Sequence, residues 1–108
     1  ALVSLMERVE DGTFSIEHMV RKTSYAPAIL YQVAERGFLR EGYFADFTLI
    51  APNTSREDEP VLSKCGWSPF SGYAFKHRIA GTWVNGHQRY DGQQVVEGPY
   101  GQALAYQR

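Results

Sequence analysis

Residues 37–50, reading G-F-L-R-E-G-Y-F-A-D-F-T-L-I, separate two stretches with different hydrophobic periods, and that change constrains the fold more than any other feature. Ahead of it, Leu2, Leu5, Met6 and Val9 recur at the i, i+3, i+4, i+7 spacing of one helical face, and Asp11-Gly12 supplies a stop. Ser15 is placed to cap a second helix running to about Lys22, with Ile16, Met19 and Val20 on a common face. Pro27 suits the first turn of a third, in which Ile29, Leu30 and Val33 point inward until Gly37 ends the run after Glu35.

Beyond Gly42 the period becomes 2. Phe47 and Leu49 alternate with Asp46, Thr48 and Ile50, which predicts a strand closing at Pro52. A polar, acidic loop from Asn53 to Pro60 follows. A second strand is predicted from about Lys76 to Val84. Asn85-Gly86 then supplies the two positive-φ residues of a type I′ turn, and His87 to Tyr90 form the returning strand. Asp91-Gly92 predicts another turn before Val95 and Val96, giving a meander of four or so short strands. Helices first and strands second is an α+β pattern. Three short helices are a thin cover for such a sheet, so a further layer is expected from elsewhere. The opening at Ala1, with neither an initiator Met nor a capping residue ahead of the first helix, leads to the expectation that this is the tail of a longer chain.

With 108 residues, one domain burying roughly two thirds of its unfolded surface is the expectation. Eleven basic and twelve acidic residues give a net charge of -1, which disfavours nucleic acid and anionic lipid as partners. No apolar run nears the ~18 residues of a membrane span, and a cytoplasmic location is expected. Cys65 stands alone, so no internal disulfide forms, and K-C-G-W-S places no base beside the thiol.

Chemistry-bearing motifs are scarce. His18, His77 and His87 form no H-x-H pair or H-E-x-x-H, and no second cysteine exists, so no catalytic, cofactor-binding or metal-ligating residue is nominated. No P-loop, G-x-S-x-G or G-x-G-x-x-G occurs. Glu57, Asp58 and Glu59 read as a solvated loop, since nothing separates their proton affinities. Ser68-Pro69-Phe70-Ser71-Gly72, with Trp67 beside it, looks specified: Pro69 holds Ser68 extended, Phe70 is an apolar anchor and Gly72 permits a bend. Either it plugs into a neighbouring surface or it tucks over its own sheet.

Ala26-Pro27-Ala28, followed by residues 36–50, resembles the pattern by which members of the amidohydrolase superfamily leave their barrel, a P-A helix and then a G-x-I/L-x-x-G-x-x-A-D strand. Lys64 to Gly72 and Gly81 to Gly86 look like the C-terminal signature of the dihydroorotase family, and Gly101 to Arg108 resembles that family's closing residues. Allantoinases and hydantoinases share parts of the same loop. Two departures are mild: Ala26 stands where Asn is commoner, and Ser71 where an acidic residue is commoner.

The resemblance implies that residues 1–36 are the last helices of a (β/α)8 barrel and residues 37–108 the C-terminal part of a small β-sandwich domain. It implies zinc in the full-length parent and none bound by this segment, with dihydroorotate as the small-molecule substrate. It also implies the missing N-terminal barrel as the partner surface, with a homodimer possible. The Trp67 to Phe70 loop is then a candidate contact with the barrel. Two alternatives differ in kind: a non-catalytic scaffold for aspartate carbamoyltransferase, and a free-standing binding module.

Overall fold

An antiparallel three-stranded sheet in the order β1-β2-β3 carries the second half of the chain, and helices carry the first. The computed structural model describes residues 1–54, 61–98 and 101–107. The acidic trio at positions 57, 58 and 59 lies outside the described residues.

Helix α1 spans Leu2–Glu10, with Met6 buried and Leu2, Leu5 and Val9 half-buried, as the periodicity requires. In α2, Ile16–Val20, Ser15 caps the helix: its Oγ accepts the His18 N–H at 3.2 Å. The two following helices of the sequence reading are not separate. A π turn, Arg21–Tyr25, joins α2 to α3, Ala26–Leu30, without leaving helical geometry. Pro27 has no N–H to donate back, and Thr23 Oγ1 bonds the Met19 carbonyl at 2.9 Å; both loosen the i→i−4 ladder, and Ala26 donates instead to Arg21, five residues back.

The run ends at Leu30, five residues before the expected Glu35. Val33 N–H reaches the Ala28 carbonyl at 2.9 Å and Gln32 N–H the Ile29 carbonyl at 3.2 Å, while Gln32 adopts φ 54°. This is a Schellman close with glutamine in the left-handed position that glycine usually takes. Residues 32–34 then pair with the C-terminal stretch: Ala34 donates to Ala105 at 2.8 Å, Gln107 donates to Gln32 at 2.8 Å, and Val33 bridges Tyr106. The expectation that Ile29 and Leu30 point inward is also corrected, since they are 68% and 74% exposed.

Gly37 earns its place by close approach. A Cβ there would stand 2.4 Å from Ala28 Cβ and 2.9 Å from the Ser24 carbonyl oxygen, at φ +86°. Gly37→Ala is therefore expected to destabilise the fold by about 2 kcal/mol, combining a left-handed alanine with overpacking against the helix. The check is the urea midpoint of the intact protein, and an unchanged midpoint would mean that the chain exit is loosely held.

Strand β1 spans Phe47–Pro52, β2 His77–Val84 and β3 His87–Tyr90, close to the predicted bounds. Asn85 and Gly86 take φ 52° and 79°, the type I′ turn their sequence foretells. Phe47 and Trp83 are cross-strand partners with stacked rings 4.7 Å apart. The Trp83 ring lies across Gly81, where a Cβ would come within 2.6 Å of it. The meander's fourth member is only a bridge between Tyr90 and Val95, backed by a 2.7 Å bond from Val96 N–H to the Arg89 carbonyl. Two carboxylates one helical turn apart dock α1 on β2: Glu7 Oε1 accepts the Lys76 N–H at 2.7 Å, and Glu10 Oε1 lies 3.5 Å from His77 Nε2.

The apolar core of the described residues consists of Met6, Met19 and Ala28. The chain exposes 8340 Å2, whereas a compact monomer of its mass would expose roughly 6,100 Å2. Its radius of gyration, 15.5 Å, likewise exceeds the ~13 Å of a compact domain this long. No helix among the described residues is long and apolar enough to cross a membrane.

Candidate functional site: a polar clamp beside an apolar groove

A polar cluster joins the helical part to the sheet. Arg36 Nη1 donates to Asp46 Oδ2, and Asp46 Oδ1 accepts the Asn85 N–H at 2.8 Å. Asn85 Oδ1 lies 3.5 Å from Arg36 Nη2, at the outer edge of hydrogen-bond range. The guanidinium also sits 4.1 Å over the Phe44 ring, and Gly86 N–H bonds the Ala45 carbonyl at 2.9 Å. Arg36 and Asp46 side chains are 11% and 29% exposed, so this pair is shielded well beyond an ordinary surface ion pair. Asp46 thereby ties the chain leaving the helices to the β2–β3 turn. Sequence reading singled out both the A-D and the N-G dipeptides but did not connect them; the link is a contact across 39 residues.

Beside this clamp an apolar groove of about 580 Å3 runs between residues 16–30 and the sheet. Met19, Val20 and Phe38 line one wall, and Phe47, Ile50 and Trp83 the other. Tyr25 and Phe38, both in the lining, stack with ring centroids 4.6 Å apart. Thr23, Thr48 and Thr82 add hydroxyls, and Asp46 is the one carboxylate among the described residues of the lining. Such a surface suits apolar side chains better than a polar substrate.

The three histidines stay apart. His18 is exposed on α2 beside Phe14, His77 opens β2 against Glu10, and His87 is exposed after the turn. Among the described residues no group of three or more His, Cys, Asp or Glu side chains could hold a metal ion. Among the described residues, two exposed turn carboxylates have a shifted proton affinity. Asp11 is held below the usual range by the Thr13 hydroxyl and then by its N–H, and Asp91 by the Gln94 and then the Gln93 N–H. That is local turn chemistry, not a paired acid and base.

The Trp67 to Phe70 loop does not fold over the sheet as a closed flap. Trp67 is 64% exposed, while Phe70 meets Phe75 edge-on at 5.4 Å and Tyr73 lies 4.7 Å from the same ring. Ser68 organises the bend, its Oγ accepting the Phe70 N–H at 3.2 Å and its carbonyl the Ser71 N–H at 3.1 Å. Cys65, exposed at the loop's start, has the Ser63 hydroxyl 3.1 Å from its sulfur, and that contact is the main reason its thiol lies below the ordinary range. Neither Ser63 nor the nearby Trp67 carbonyl is a base. Since the hydroxyl favours the thiolate, Ser63→Ala is expected to move the onset of Cys65 alkylation to higher pH and slow the reaction at neutral pH. Rates of iodoacetamide labelling against pH test this; an unmoved onset would remove Ser63 as the cause.

Comparison with known proteins places these features. Residues 1–89 match the model of the amidohydrolase family. An allantoinase from Bacillus velezensis is 32% identical over 105 residues, 95% of this chain and 23% of the relative. A dihydroorotase from Pyrococcus furiosus is 25% identical over 103 residues, 93% of this chain and 24% of its own length. A dihydroorotase from Endomicrobium trichonymphae is 36% identical over 85 residues, covering 77% and 20% respectively. The chain thus spans about a quarter of the length of the curated relatives it matches. With its helices, its A-D strand and its N-G turn all inside the matched residues, the chain belongs to the amidohydrolase family.

Proposed function

We propose that this chain is the C-terminal part of a dihydroorotase, a zinc-dependent cyclic amidohydrolase that interconverts dihydroorotate and N-carbamoyl-aspartate in pyrimidine biosynthesis. In this reading residues 1–36 are the last helices of a (β/α)8 barrel, and residues 37–108 are part of a small β-sandwich packed beside it. The observation that carries it is the similarity to dihydroorotases along nearly the whole chain, at about a quarter of their length. The apolar surface left uncovered, including Ile29, Leu30 and, in the groove lining, Leu39 and Phe47, supports a segment designed to be covered.

The donor set among the described residues does not fit a zinc centre. Its histidines are dispersed, Cys65 stands in an exposed loop, and the clamp carboxylate is engaged by Arg36 and the Asn85 N–H. The metal and the reacting groups therefore belong to the rest of the parent, and no chemical step passes through the residues described here. Their part is to complete the scaffold that holds the barrel's end.

The allantoinase similarity at 95% coverage favours a second reading, in which the parent opens allantoin. Assaying the intact parent on dihydroorotate, allantoin and hydantoin separates the two. Turnover is expected on dihydroorotate, lost on chelation and restored by zinc. Preference for allantoin would install the second reading, and a well-folded parent that turns over nothing but co-purifies with aspartate carbamoyltransferase would make it a scaffold.

A further inference from the structure

We draw no further inference here: the strongest candidate, the apolar groove between residues 16–30 and the β1–β2 face of the sheet, belongs to the surface already assigned to the rest of the parent, and nothing in the structure shows what covers it.

Discussion

Expressed alone, the 108-residue chain is expected to melt without a cooperative transition, to bind a hydrophobic dye, and to hydrolyse neither dihydroorotate nor allantoin. The physical ground is surface. Its 8340 Å2 of exposure exceeds the compact expectation by roughly 2,200 Å2, of which somewhat more than half is apolar for an average protein surface. At about 25 cal/mol per Å2 that forgone burial is on the order of 30 kcal/mol, an upper bound. Ordinary domains are stable by only about 5–15 kcal/mol, so a shortfall of this size is not made good by Met6, Met19 and Ala28. The expected catalytic silence rests separately on the dispersed donor set among the described residues, and since enzymes accelerate by about 10⁶-fold or more, turnover by the chain would be readily detected. Circular dichroism melts, dye fluorescence and a turnover assay check the three parts. A sharp transition with equal calorimetric and van't Hoff enthalpies would instead make the chain a free-standing module.

Asp46→Ala in the intact parent is expected to cost about 4 kcal/mol, because it strands the mostly buried Arg36 guanidinium and removes the acceptor for the Asn85 N–H. Asp46→Asn keeps one oxygen for that N–H but turns an NH2 toward the Arg36 guanidinium in place of the accepting Oδ2, so the arginine stays stranded and only the Asn85 part of the penalty is recovered. Arg36→Ala combined with Asp46→Ala should cost less than the sum of the single changes, since neither charge is then left unpaired. Urea denaturation of the four proteins forms the cycle. If Asp46→Ala costs less than about 1 kcal/mol, the clamp is no better than an exposed ion pair and does not hold the helical exit to the hairpin.

The β hairpin was legible because its determinants are neighbours in sequence: alternation sets β2 and β3, and Asn85-Gly86 can adopt the two positive φ values between them. The Ser15 cap and the inward face of α1 were legible on the same ground. The end of α3 was not. Gly37 looked like the stop, yet Gln32 closes the helix, in a stretch that residues 105–107 pair with from the far end of the chain. Ile29 and Leu30 had the spacing of an inward face and lie outward in this chain, because periodicity specifies which residues share a face and not what that face meets.

The candidate site divides in the same way. Scattered histidines and a single cysteine are why the sequence nominates no metal ligand, as ligand spacing is a local property of sequence. The Arg36–Asp46–Asn85 clamp and the groove beside it were invisible there, since each is made by residues brought together only when the sheet is laid against the helices. The starts of the helices, the three strands, the turn chemistry and the family pattern were readable from residues alone, since they rest on φ/ψ preference and spacing within a few residues. Tertiary structure alone decided where the long helical run ends, which apolar faces find partners and how the two halves are joined, because those outcomes depend on contacts between residues tens of positions apart.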